Sequence, residues 1–205
     1  MPNWCTTFMT VSGDEKELKS FLDDMGKTDE GVYNILDTYY PCPKALKDTV
    51  AGWTNDVDEQ AKRTAQHAEN IANYGHADWY EWCNEEWGTK WGDCDTRLES
   101  YTGEQAVFYL QSAWSPITKG MEEVSKQFPN LYFMLEHEEE ADFYMGVEVV
   151  HNGTIICESL SQPCEDWDES MGEWGSDEYC EWKEEESDRH HTHVMEQLSL
   201  MGIKL

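Results

Sequence analysis

Cations are scarce in this sequence: 14 Lys and Arg stand against 43 Asp and Glu in 205 residues, a formal net charge of −29. A surface that grips a phosphate backbone or an anionic membrane needs clustered Lys and Arg, so direct nucleic-acid or membrane binding is not expected. Long apolar runs are also missing, and nothing approaches the roughly 18 residues of a membrane span. The seven cysteines repeat no short spacing and are odd in number, which argues for free thiols in a reducing cytoplasm. The opening Met1-Pro2-Asn3-Trp4-Cys5 has no basic stretch followed by an apolar one, so no secretory signal is expected. No nucleophile elbow, P-loop or dinucleotide glycine pattern is present. With 43 carboxylates, acid–base pairs lose diagnostic value, and catalysis is not expected.

Aromatic residues are plentiful. Ten Trp, ten Tyr and six Phe separate this chain from disordered acidic sequences, because such side chains build cores. Residues 4 to 12 alternate apolar and small polar, as a half-buried strand does. Asp14 then opens a helix carrying Leu18, Phe21, Leu22 and Met25. Residues 32 to 40 read as a second strand stopped by Pro41 and Pro43. Asn55 is expected to cap an outer helix to about Tyr74. Residues 105 to 114 read as a strand, 117 to 127 as a helix, and 131 to 138 and 142 to 160 as strands, the last broken at the hairpin signal Asn152-Gly153. The order β-α-β, insertion, β-α-β, hairpin predicts an α+β, ferredoxin-like split β-α-β fold with an antiparallel sheet. Its expected body is residues 1–160, with an inserted helical, Trp-rich segment at about 47–100. Residues 161–205 form an acidic, Trp-containing extension.

Several motifs, MPNWCTTFMTVSG at 1–13, YNILDTYYPCPKAL at 33–46, WGTKW at 87–91, SAWSP at 112–116 and FPNLYFMLEHEEEADFYMG at 128–146, resemble the YubB-like, ferredoxin-like-domain family of phages and plasmids. Three departures stand out: Glu86 precedes WGTKW where Asn is expected, Ile117 follows AWSP where a second Pro is usual, and EHEEEAD replaces a less charged turn. The resemblance implies a ferredoxin-like fold and a mobile-element origin, and it implies no reaction.

Trp87, Thr89, Lys90, Trp91 and Trp114 admit two readings. They either line an aromatic pocket in which Lys90 sits over a ring face, or cap one end of the sheet. His190 and His193 share a helix face, but no second pair at zinc spacing accompanies them; no metal or cofactor is expected. His137 lies between Glu136 and Glu138, whose side chains point the other way on a strand.

The strongest functional signal is the placement of the acids. Glu165, Asp166, Asp168, Glu169, Glu173, Asp177, Glu178, Glu181, Glu184, Glu185 and Asp188 crowd one segment. Ser176 is a good N-cap, and Asp177 and Glu178 suit the first turn of a helix. On that helix Asp177, Glu181, Glu184, Glu185 and Asp188 form one acidic stripe, with Trp167, Trp174, Tyr179 and Trp182 as apolar anchors either to the ferredoxin-like body or to a partner protein. Such a row suggests a mimic of DNA that occludes a basic, nucleic-acid-binding surface of a host protein. The alternative is a small-ligand or peptide-binding module at the tryptophans.

Overall fold

The alternating residues at the start form β1 (Trp4–Gly13), whose apolar set Met9 and Val11 is fully buried. The computed structural model describes residues 1–26 and 31–205. Asp14 accepts from the backbone N–H groups of Lys16 and Glu17 and so starts α1 (Glu15–Asp24), which buries Leu18 and Phe21. Short helices α2 (Ile35–Tyr39) and α3 (Lys44–Lys47) flank the prolines. A long outer helix α4 (Val57–Tyr74) follows, capped by Asp56 and closed by Gly75 at φ 81°. Only Asn70 of α4 is buried, as its thin stripe of small residues implies. Helix α5 (Trp79–Trp82) runs into a π-helical turn, Cys83–Trp87.

Two strands, β2 (Cys94–Tyr101) and β3 (Gln105–Ala113), then precede α6 (Thr118–Ser125). Next come β4 (Leu131–Glu139), β5 (Met145–His151) and β6 (Thr154–Ser161). Asn152 and Gly153 both take positive φ, 45° and 85°, the conformation that a tight hairpin between twisted strands requires. All pairings are antiparallel, in the order β2-β3-β1-β4-β5-β6. Units β1-α1-β2 and β3-α6-β4 each leave a gap that a strand of the other fills. That interleaving is the ferredoxin-like fold, in the α+β class, with β5 and β6 extending the sheet.

Helices α1 and α6 lie on the same face. Phe21 and Met121 join Met9, Val11, Phe108 and Phe133 in one buried cluster, and Phe21 meets Phe108, Phe128 and Phe133 edge-on at 5.2 to 6.1 Å. The opposite face is covered over its β5–β6 half by α8 (Asp177–Leu200), reached through α7 (Pro163–Asp166) and a 3₁₀ turn, Glu169–Met171. Val194 and Leu198 pack there on Met134, Val147 and Val149.

Two expectations need correction. The second strand of the ferredoxin-like unit is Cys94–Tyr101, inside the expected insertion, and residues 35–39 are helical. Tyr33 forms an isolated bridge to Thr96. Buried Asp93 decides the matter, since its carboxylate accepts from the Ile35 and Leu36 N–H groups, both at 2.8 Å, and from Thr96 Oγ1. A carboxylate on exposed N–H groups favours a helix start. Likewise Asp56, not Asn55, caps α4, by accepting from Glu59 N at 2.9 Å.

Candidate functional site

Helix α8 begins where the sequence places it, with Ser176 Oγ accepting from Tyr179 N. Its inner face is largely polar. Tyr179 donates to Asp142 at 2.7 Å, Lys183 pairs with Asp142 at 2.5 Å and also with Glu138, and His191 meets Glu136 at 2.7 Å. His190 lies between Ser159 and Ser161, 2.8 Å from each hydroxyl. Burial lowers the Lys183 pKa, but hydrogen bonds to Asp142 and Glu138 outweigh it and the net shift is upward. His190 is shifted down by burial and then by Arg189. Buried Glu186 pairs with Arg189.

This inner docking turns the acids outward. Asp177, Glu178, Glu181, Glu184, Glu185 and Asp188 are all exposed. From 177 to 188 the stripe spans about 16 Å at 1.5 Å per residue. Upstream, Glu165, Asp166, Asp168 and Glu173 are exposed, and the backbone of Glu169 lies in the 3₁₀ turn. The aromatic anchors pack on one another: Trp167 and Trp174 on Tyr179 at 5.2 and 4.6 Å, and Trp167 on Trp182 at 5.4 Å, with Trp174 half exposed.

The tryptophan motif divides. Trp87 is core, donating Nε1–H to Tyr40 O at 2.8 Å and meeting Trp82 at 5.2 Å. Thr89 is buried, its hydroxyl donating to Ala113 O at 2.8 Å and accepting from Ala113 N at 3.1 Å, so it fastens WGTKW to SAWSP. Trp91 and Trp114, 5.9 Å apart, are exposed by 42% and 41%. Lys90 Nζ lies 4.7 Å from the Trp91 ring and 5.5 Å from those of Trp114 and Tyr80. A cavity of about 220 Å³ joins Trp87, Lys90 and Trp91 to Trp79, Cys42 and Lys47. Trp87 and Thr89 therefore belong to the core, while Trp91 and Trp114 stand partly exposed beside Lys90. Glu86, the departure before WGTKW, accepts from Tyr40 Oη at 2.5 Å and lies 3.1 Å from His76 Nε2.

His137 and Glu148 close the other end of the core. The His137 Nδ1 to Glu148 Oε2 distance is 3.7 Å, and Thr118 Oγ1 donates to Glu148. Burial lowers His137 to a pKa of about 4 and raises Glu148. Cys5 is pushed up to about 12 by burial, so its thiol is inert rather than nucleophilic. Among the described residues no three His, Cys, Asp or Glu side chains gather as metal ligands, and His193 is exposed while His190 serves the sheet. Among those residues no helix is long and apolar enough to cross a membrane.

Sequence reasoning missed the partners of α8. Asp142, Ser159 and Ser161 carry no motif, and the one available signal was that Tyr179, Lys183, Glu186, His190, Val194 and Leu198 recur at helical spacing.

The fold thus defines an α+β protein with a ferredoxin-like sheet and an acidic helix laid across half of its second face. Residues 86–186 match the family model described as the ferredoxin-like domain in Api92-like protein. This agrees with the ferredoxin-like part of the sequence resemblance, under an Api92-like rather than a YubB-like description. The chain is similar to a solved structure, that of a protein api92 from Yersinia pseudotuberculosis, with 9% identity and a TM-score of 0.44 over 78% of this chain and 98% of that one. No curated protein matches the chain.

Proposed function

We propose that this chain is a non-catalytic interaction protein of a phage or mobile element, a DNA mimic that occludes a basic surface of a host nucleic-acid-binding protein. The observation that carries this reading is the outer face of α8. Its five stripe carboxylates are exposed on a helix held to the sheet by Tyr179, Lys183, His190 and His191. A row fixed before binding loses less side-chain and backbone freedom than a flexible acidic tail. The partner's cations supply the attraction, and the net charge of −29 accelerates encounter. Host partners captured on the immobilised protein are the test. Their release should rise steeply between about 50 and 500 mM salt, and DNA should compete for them. A partner held equally well across that range, or one that carries DNA and this protein together, sinks the reading.

A second reading has its own observation, the exposed pair Trp91 and Trp114 with Lys90 over both rings. It makes the chain a small-ligand or peptide-binding module. Salt-insensitive binding lost in Trp91→Ala and Trp114→Ala would select it.

A further inference from the structure

Helix α8 covers the β5–β6 half of the second sheet face and, while Thr10 and Ser12 further along β1 are buried, leaves the Trp4–Phe8 end of β1 beside it partly exposed. In that space lies a cavity of about 500 Å³ bordered by Trp4, Phe8, Glu136, Glu138, Glu140 and Ser187. The strand register builds two facing rows. Phe8 lies opposite Glu136 and Thr6 opposite Glu138, while the Glu140 N–H donates to Trp4 O. Phe8 is 47% exposed, although Tyr109 packs on it edge-on at 5.6 Å. With the part-buried Trp4, Phe8 puts two aromatic rings along the cavity wall, a face on which a flat cation can stack.

The charges around the cavity select the occupant. Glu136 is engaged by His191 and Glu138 by Lys183. The Glu140 carboxylate has no side-chain partner among the described residues, and it is exposed. Three carboxylates against Lys183 leave the wall anionic. Alternate residues of a strand are about 6.8 Å apart on one face, so Glu136 and Glu138 of β4 match the spacing of alternate side chains in another extended segment, and Glu140 follows in the turn after the strand. Guanidinium groups stack flat on aromatic rings and pair with carboxylates through two hydrogen bonds, which an ammonium does not.

The geometry points to this groove as the docking site for an extended, arginine-bearing segment of a partner protein, with arginines at alternate positions over Phe8 and Trp4 and against Glu138 and Glu140. It rests on the proposed function only for the premise that the partner is basic; the groove adjoins α8 at Ser187, near Glu184 of the stripe, and the rest of the stripe lies outside it.

The test uses the full chain and a fluorescent Arg-Gly-Arg-Gly-Arg peptide, read by anisotropy at about 100 mM salt. The controls are Lys-Gly-Lys-Gly-Lys and Arg-Arg-Arg-Gly-Gly, which carry the same charge in another chemistry or spacing. The alternating arginine peptide should bind best. Phe8→Ser, which changes no charge, and Glu140→Gln should each weaken it about tenfold, as loss of a ring contact or a charge pair does. The stripe variant E181Q/E185Q/D188N, which leaves Glu184 beside the groove in place, should weaken it less than about threefold, because its charges act only at long range. Melting curves confirm that each variant is folded. If the three peptides bind alike, if Phe8→Ser has no effect, or if the stripe variant loses as much as Glu140→Gln, the groove is not the site, and the DNA-competition test of the stripe stands unaffected. Failure of DNA competition with peptide binding intact removes the mimic reading and keeps the groove. No binding by the wild-type protein overturns the groove.

Discussion

Lys183 of α8 reaches Asp142 in the β4–β5 connection at 2.5 Å, and the same carboxylate accepts from Tyr179. Both charged side chains are mostly shielded, with 18% and 11% exposure. Removing one member of such a pair leaves the other buried without compensation, which costs about 3 kcal/mol. Lys183→Met should therefore destabilise the α8 attachment by that order. Hydrogen exchange along 177–200 should rise more than in β1 or β3. Equal protection of α8 in wild type and variant would contradict this role.

Acid should loosen the same contact. The folded pKa of His190 lies below its ordinary 6.5 because of burial and Arg189. A lowered folded value means that the stability is present above about pH 6.5 and is lost as pH falls through the folded pKa. The groups facing this ring are Ser159, Ser161, Glu186, Arg189, Asp166, His193 and His137. His137, at about 4, adds a second loss lower on the scale. Glu148 opposes both, since its raised folded pKa favours the protonated form. The prediction is a fall in α8 protection as pH drops below about 6.5 that His190→Asn reduces. A variant with the wild-type acid profile would show that His190 is not responsible.

Asp93→Ala should unravel α2. The carboxylate accepts three hydrogen bonds in a buried site, and leaving such donors unpaired costs about 1–3 kcal/mol each, less what water recovers. Thermal melting should fall by several degrees, and exchange at Ile35 and Leu36 should speed up. The same contact explains why this region was not legible in the sequence. VYNILDTYY has strand-like composition, and what makes residues 35–39 helical stands 57 and 58 residues further along the chain. β2 was hidden for the complementary reason: CDTRLESY is an edge strand with half its residues exposed and two register shifts, so it lacks clean alternation. Strands β1, β3 and β4 were legible because their buried faces repeat every second residue, and α1 and α6 because their apolar residues fall on one face.

The tryptophan motif should give opposite results from neighbouring positions. Trp87 is 4% exposed and packed among core residues, so Trp87→Ala should cost about 3–5 kcal/mol. Trp91 and Trp114 are each about two-fifths exposed, and Trp91→Ala should cost about 1 kcal/mol or less. Denaturant midpoints for the two variants decide this. The sequence showed the spacing of these residues but not the division, because the π-helical turn Cys83–Trp87 and Gly88 at φ 79° redirect the chain between them.

The acidic stripe was legible because it depends only on helical spacing, while the surface beneath α8 depended on strands far away in the chain. Its stability effect follows from like charges placed three and four residues apart. Glu181 neighbours Glu184 and Glu185, and both neighbour Asp188, all exposed. Each such pair costs about 0.2–0.5 kcal/mol at low salt. E181Q/E184Q/E185Q/D188N should therefore raise stability by about 1–2 kcal/mol at low salt. Asp177 is left in place, since a carboxylate in the first turn favours the helix. The gain should shrink as salt screens the wild-type repulsion, and at about 1 M, where the Debye length is near 3 Å, the melting curves should converge. Urea serves as the denaturant, because guanidinium chloride would itself screen the charges. A gain independent of salt would mean that packing, not repulsion, separates the two proteins, and a loss at low salt would mean that the carboxylates hold α8 in place.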